Sequence, residues 1–346
     1  MNENEIPEEI PRVIDTTTPM KPFADPVMEA VFANKDVAGL AAQSLINAVL
    51  SESGDPCIGE ITALTPQRVM SNPLGRGYRF DIEARVGNSE LADIEIQFRR
   101  MSMNERGLLY AGRFLDDNAK RGEKIEYVLQ KMPRVIIINI LHFNLRGDHP
   151  DFHQPVELVY RKLKADGTYK LATDRLTIHN IELKKYVSSI LPDLKTKPYT
   201  SETPSLYYWL WAMCEADSEN KFIWEVVNTN TALKQFAGED TGFRQYTERY
   251  ETINDDIQVR RMYNIWTEGM SALEQVRIEG QDEGIKIGRE EGRLEGRLEG
   301  HEEGRAESLL EVAMNALKQG LTVEAISSFT MLSKEKIEEI KNSISE

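Results

Sequence analysis

The stretch YRFDIEARVGNSELADIEIQF, residues 78–98, carries two alternating runs of polar and apolar residues on either side of Gly-Asn-Ser-Glu. Period-two alternation marks a strand, and two such runs around a short turn read as a β-hairpin. In the first run Tyr78, Phe80, Ile82 and Ala84 take one face, and Arg79, Asp81, Glu83 and Arg85 the other. In the second run Leu91, Asp93, Glu95 and Gln97 share one parity, and Ala92, Ile94, Ile96 and Phe98 share the other. A turn centred between Asn88 and Ser89 pairs positions that sum to 177, which sets Asp81 against Ile96 and one residue out of step with Glu95. A bulge would align the two acids. Aligned, two carboxylates and the Gln97 carboxamide offer oxygen ligands to a hard divalent cation. Left as it stands, the face reads as the solvated side of an antiparallel sheet.

Working outward from the hairpin, Asp25-Pro26 fit N-cap and first-turn roles for one or two helices up to Leu50, whose apolar residues recur near helical spacing. Residues 58–64 and 66–70 read as a first strand. After the hairpin, MSMNERGLLYAGRFLDDNAKRG reads as an amphipathic helix closing at Gly122. RVIIINILHF, 134–143, is apolar throughout, as expected of a strand buried on both faces with helices over the sheet. Strands are expected again at 156–163 and 176–183, around the turn Ala165-Asp166-Gly167, and a helical region follows in which SLYYWLWAMCEAD provides core or a partner surface. The class is α/β (α+β), a mixed sheet flanked by helices with a C-terminal helical region.

The chain of 346 residues has room for several domains and a large core. Its formal charge of −15 argues against a protein that coats nucleic acid over its whole surface, so any DNA contact must be local. One local excess lies in residues 97–134, where nine lysines and arginines stand against five acids, a net +4. No run of 18 apolar residues occurs and the opening segment is acidic and proline-bearing, so a cytoplasmic protein without membrane contact is expected. Cys57 and Cys214 are far apart and lack paired-cysteine spacing, so both are expected to be core thiols.

From Gly280 to Gly304 glycine recurs every fourth residue in EGQDEGIKIGREEGRLEGRLEGHEEG. Interior glycines cost a helix roughly 0.8–1 kcal/mol each relative to alanine. Two readings stand: a glycine stripe that lets helices of an oligomer approach, or a soluble, partly helical spacer. The tail reads as helix, Gly320, a short helix from Thr322, a turn at Ser333 and a last helix, a spacing similar to a helix-turn-helix but acidic, so a small assembly bundle is expected.

Taken in order, FADPVMEAVF (23–32), SLINAVL (44–50), YRFDIEA (78–84), ADIEIQ (92–97), ERGLLYAGRFL (105–115), GEKIEYV (122–128), RVIIINIL (134–141) and IELKK (181–185) resemble the recombination-promoting nuclease family of transposases, a branch of the PD-(D/E)XK nuclease superfamily. The glycine tract and helical tail look like this family too. The resemblance implies a restriction-endonuclease-like core of helix, three strands, helix and strand, the order read above. It implies a loose leader over 1–20, a nuclease-like domain over 21–185, a helical region over 186–275, the glycine tract over 276–305 and a helical tail over 306–346. Asp81 matches the superfamily's second-strand aspartate, and Glu95-Ile-Gln97 its (D/E)XK element with Gln for Lys, a form common in this family. Catalytic roles are thereby implied for Asp81, Glu95 and Gln97, and metal ligation for Asp81, Glu95 and Asp25, the last with helix N-cap as its alternative. The cofactor implied is Mg²⁺, with Mn²⁺ as a substitute, and the partner double-stranded DNA, cut with little sequence preference. Arg106 and Tyr110, four apart on one helix face, would contact phosphate or buttress Gln97, with Arg99 and Arg113 at phosphates. The chain departs from the family at Met28-Glu29, where a lysine is usual. A homo-oligomer through the C-terminal region is expected, and the rival reading is a non-catalytic binding or assembly module that keeps the nuclease fold.

Other patterns carry less. His149 and His153 lie four apart beside Asp148 and Asp151, but Pro150 and Pro155 oppose the helix a metal pair would need. His142 and His179 read as core histidines. No Walker-type phosphate loop occurs.

Overall fold

The computed structural model describes residues 16–70, 78–87, 89–117 and 123–344; within these, only the backbone is described for 67–70, 78–81, 114–117, 125, 277, 282, 294, 302 and 344. Helices α1 (Asp25–Val31) and α2 (Lys35–Ser53) lead into strands β1 (Ala63–Met70), β2 (Tyr78–Val86) and β3 (Glu90–Gln97). Helices α3 (Met103–Asp117) and α4 (Ile125–Gln130) precede β4 (Arg134–Leu141), and β5 (His153–Glu157), β6 (Val159–Leu163), β7 (Tyr169–Leu171) and β8 (Leu176–Glu182) complete the strands. Helix α2 begins where the Asn34 side chain accepts from the amides of Asp36 and Val37, satisfying two N–H groups that lack intrahelical partners. The closing of α3 at Gly122 falls outside the described residues.

Six strands form one mixed sheet in the order β1-β2-β3-β4-β8-β5, and β6 and β7 pair as a separate two-stranded ribbon. The β1–β2, β2–β3 and β5–β8 pairs are antiparallel, and β4 runs parallel to both β3 and β8. The expected strand at 156–163 is therefore two strands, one in the main sheet and one in the ribbon. Strand β4 is buried on both faces. One side sends Ile136, Ile138 and Ile140, with Ile82, Ile94 and Ile181, into the main core. The other sends Val135 and Ile137 against Tyr110 and Ala111 of α3. Helix α3 lies close on β8, where a Cβ at Gly107 would stand 2.9 Å from Ile178 Cδ1.

Past β8 a short helical stretch, α5 (Leu183–Lys185), a π-helical turn Tyr186–Ile190 and α6 (Leu191–Leu194), leads to α7 (Ser205–Glu219), α8 (Ile223–Thr229), α9 (Thr231–Glu239) and α10 (Thr241–Asn254). Helix α7 is apolar around much of its circumference, as a helix inside a core must be; Leu206, Trp209, Leu210 and Met213 are all 0 % exposed. These residues join the same apolar cluster as α1, α2 and the inner face of the sheet, so the helical region completes the core of the sheet. At the α2–α10 crossing a Cβ on Gly242 would sit 2.4 Å from the Leu40 carbonyl oxygen, a separation only glycine permits. Cys214 is buried as expected, but Cys57 is exposed because it lies in the loop that follows α2.

Helix α11 (Ile257–Lys318) carries the glycine tract within it, and α12 (Val323–Thr330) and α13 (Lys334–Ile344) follow. By compactness the chain divides between Glu268 and Gly269. In the second unit Ala313, Ala316, Ile326 and Ile337 form a small core of their own. Gly320, with φ of 80°, ends α11, and the Thr322 side chain caps α12. A Cβ on any of the seven tract glycines would meet nothing within 4 Å among the described residues. The tract is helical throughout, in contrast to a partly helical spacer; its Glu, Arg and Leu residues favour helix.

Candidate functional site

The hairpin register differs from the one expected. Val86 pairs with Glu90, which leaves three residues between the two strands, Gly87 having φ of 55°, and paired positions sum to 176: Ile82 with Ile94, Glu83 with Asp93, Ala84 with Ala92. The extra loop residue shifts the strands by one step. Carried one residue further, the same register sets position 81 of β2 against Glu95 without a bulge, in place of the expected Ile96. Position 81 shares the parity of Glu83, while the Asp81 side chain lies outside the described residues.

The acidic face is not solvated. Glu83, Asp93 and Glu95 are 2 %, 0 % and 0 % exposed, on the face of the sheet against which α3 packs. Burying several carboxylates in one patch is costly unless cations or hydrogen bonds compensate, because each loses hydration and repels its neighbours. Compensation comes from both sides: Arg85 Nε donates to Glu83 Oε1 at 2.6 Å, and Arg106 Nη2 of α3 donates to Glu95 Oε2 at 2.5 Å. The Arg106 guanidinium also stacks on the Tyr110 ring, 4.9 Å from its centroid. Arg106 and Tyr110 do share a face, and Arg106 meets Glu95 there. Burial first, and then the charge of Glu95, push the Tyr110 hydroxyl well above its ordinary pKa against the opposing pull of Arg106, so it remains a proton donor at neutral pH.

Beside Glu95 in the register stands Asn139 of β4, whose amide donates to Asn180 Oδ1 at 2.8 Å; Asn180 in turn donates to Asn104 Oδ1 of α3 at 3.0 Å. This neutral relay ties the first turn of α3 to the sheet and so fixes where Arg106 reaches. Gln97, the last residue of β3, is half-buried, and its carbonyl accepts from the His142 amide at 2.9 Å. Asp25 is the first residue of α1, with Ala24 at the N-cap, so it is not the cap. The buried side of α1 packs into the core on the opposite face of the sheet from Glu95.

Of the basic segment 97–134, Arg106, Lys131 and Arg134 meet the protein's own acids. Arg106 is on Glu95, Lys131 is 2.6 Å from Glu123, and Arg134 is 3.5 Å from both Asp55 and Glu90. Arg99, Arg100 and Lys124 are exposed, Arg113 is half-buried, and Lys120 and Arg121 lie outside the described residues. The remaining histidines are apart from the acidic patch. His153 does not pair with His149: it is buried between Glu52 and His179, with Nε2 3.1 Å from His179 Nδ1. Burial, then His153 and Arg134, hold His179 neutral with its pKa pushed down to about 3. His142 is stacked on Phe98 and lowered to about 4, chiefly by burial.

Sequence reasoning missed Glu83 and Asp93 as members of the patch. Their parity with Asp81 and Glu95 was the available signal, but an alternating charged face reads as solvent-facing until the covering helix is known. As a donor set, carboxylates backed by carboxamides suit a hard cation. Among the described residues no three His, Cys, Asp or Glu side chains converge tightly enough to enclose a metal, and Asp81 is not part of that comparison. No described helix is long and apolar enough to cross a membrane. A family model described as PD-(D/E)XK nuclease family transposase matches residues 22–269. Comparison with curated proteins and with solved structures gives no match.

Proposed function

As the chain belongs to the PD-(D/E)XK nuclease family transposases, we propose that it is a Mg²⁺-dependent endonuclease that hydrolyses phosphodiester bonds of double-stranded DNA with little sequence preference. The observation that carries this reading is the burial of Glu83, Asp93 and Glu95 on one face of the hairpin, whose paired residues run up to Ile82 and Ile94. Folding alone gives no return for concentrating carboxylates there, whereas a cation site does.

In this reading Asp81 and Glu95 hold the ion, which Mn²⁺ can replace. When bound, such an ion polarises the scissile phosphate and lowers the pKa of a water toward neutrality. The protein's own groups do the rest. Arg106 holds the Glu95 carboxylate in place, and the Tyr110 ring packs against the Arg106 guanidinium. Gln97 orients water through its carboxamide but lends no charge, so turnover should be slower than with a lysine at that position. Arg99 and Arg113 bind phosphates, a contact that confers affinity without reading sequence. A cytoplasmic location and a homo-oligomer joined through the C-terminal helices complete the proposal.

A second reading has its own support. Glu95 is already engaged by Arg106 at 2.5 Å, and Gln97 replaces the usual lysine, an arrangement compatible with a DNA-binding module that no longer cuts. Plasmid nicking separates the two. Purified protein with supercoiled plasmid and Mg²⁺ is expected to yield open circles, and the Asp81→Ala variant essentially none. Equal nicking by both proteins would sink the endonuclease proposal, and no nicking by either would favour the module.

A further inference from the structure

The β6–β7 ribbon stands apart from the main sheet in composition and in exposure. Every residue of both strands is exposed. Over residues 158–175 it carries Arg161, Lys162, Lys164, Lys170 and Arg175 against Asp166 and Asp174, a net +3 in a chain of −15. Its form is nevertheless well defined. At the tip the Lys164 amide donates to the Thr168 carbonyl at 2.7 Å, Gly167 takes φ of 82°, and Asp166 accepts from both the amide and the hydroxyl of Thr168. At the base the Ala172 amide donates to the Leu158 carbonyl at 2.8 Å.

The cations of this ribbon differ from the three best-placed cations after the hairpin in their partners. Arg106, Lys131 and Arg134 are engaged by protein carboxylates. Arg161, Lys162, Lys164 and Lys170, by contrast, make no ion pair among the described residues, and Lys170 rests 5.6 Å from the centroid of the exposed Tyr160 ring. An acidic protein that leaves four cations and two tyrosines, Tyr160 and Tyr169, open on one ordered ribbon has kept them for a polyanion. A two-stranded antiparallel ribbon is also narrow enough to enter the major groove of a DNA duplex. The apolar residues that pair across it, Val159 with Leu171 and Leu163 with Tyr169, can contact sugars and thymine methyls.

We infer that the β6–β7 ribbon is a docking arm for duplex DNA, its lysines and arginine neutralising backbone phosphates away from the carboxylate patch. The choice of DNA rests on the nuclease reading, but the test measures binding and not cutting.

Anisotropy of a labelled 30-base-pair duplex is titrated with the full chain in EDTA, where no cleavage can occur. The variants are Arg161→Glu, Lys162→Glu, Lys164→Glu and Lys170→Glu combined, and the same four positions changed to Gln. Both should weaken binding at least about tenfold at 0.1 M salt. Both should also flatten the plot of log affinity against log salt by about 3.6, since each of the four phosphates neutralised contributes about 0.9 to that slope. Because the four side chains are exposed, melting temperature should stay near that of the wild type; should the Glu variant melt early, the Gln variant decides. Unchanged affinity and slope overturn the inference, as does a wild-type chain that fails to bind duplex. A fall in light-scattering mass with unchanged DNA affinity overturns it as well and assigns the ribbon to a second copy of the chain. Wild-type protein that binds through the ribbon yet never nicks plasmid leaves the arm in place and removes the nuclease reading. Cutting that persists with ribbon-independent affinity does the reverse.

Discussion

Replacing Trp209 by Ala is expected to lower the stability of the chain by about 3–5 kcal/mol, the usual cost of removing a large aromatic from a packed core. Trp209 is 0 % exposed and meets Phe243 edge-on at 4.9 Å and Tyr246 at 5.1 Å. The cavity left there cannot close cheaply, because the close α2–α10 crossing at Gly242 prevents those helices from moving in. The loss should reach the carboxylate patch as well, since α7 shares one apolar cluster with Ile94, Ile136 and Ile138 of the central strands. Urea unfolding followed separately by tryptophan fluorescence and far-UV circular dichroism should show a single coincident transition shifted to lower denaturant. Two separated transitions, or a shift worth less than about 1 kcal/mol, would show that the helical region and the sheet do not share a core.

The second large effect is chemical. Glu95→Gln keeps the size of the side chain and an oxygen for Arg106 but removes the charge. Plasmid nicking should fall by at least about 10²–10³, the scale on which losing one preorganised electrostatic partner acts in active sites. The fold should survive, because the substitution also relieves repulsion from the neighbouring buried Asp93. Nicking within a factor of two of wild type, with a normal melting curve, would show that Glu95 is a structural partner of Arg106 and nothing more.

How much of this was legible in the sequence differs from one element to the next. Alternation over residues 78–98 revealed both strands and sorted their faces, because a strand side chain has only two directions in which to point. The register could not be read as well: a two-residue and a three-residue loop fit the same letters, and one step moves Asp81 from Ile96 to Glu95. Nor could burial be read there, since Glu83 and Asp93 lie on the face of the sheet against which α3 packs. Strand β4 announced its double burial through an unbroken apolar run, and β7, only three residues long, left no periodic trace. The continuity of the core from the sheet into α7–α10 depends on contacts far apart along the chain, which local patterning does not carry. Asp25 illustrates a smaller limit, because Asp-Pro reads equally well one position earlier in a helix than the structure has it. The ribbon's cations were passed over in favour of the richer segment 97–134, whose excess charge is partly cancelled by Glu95, Glu90 and Asp55 once the chain folds.

The central claim is that positions 81 and 95, one step beyond the Ile82–Ile94 pair, form one divalent-cation site in front of Arg106. Calorimetric titration of the full chain with Mn²⁺ tests it most directly, because it reads the site without requiring DNA or turnover. One saturable site per chain is expected for the wild type, lost in Asp81→Ala and in Glu95→Gln while Arg161→Gln on the ribbon leaves it unchanged. Equal heats of binding in the wild type and in both carboxylate variants would contradict the account.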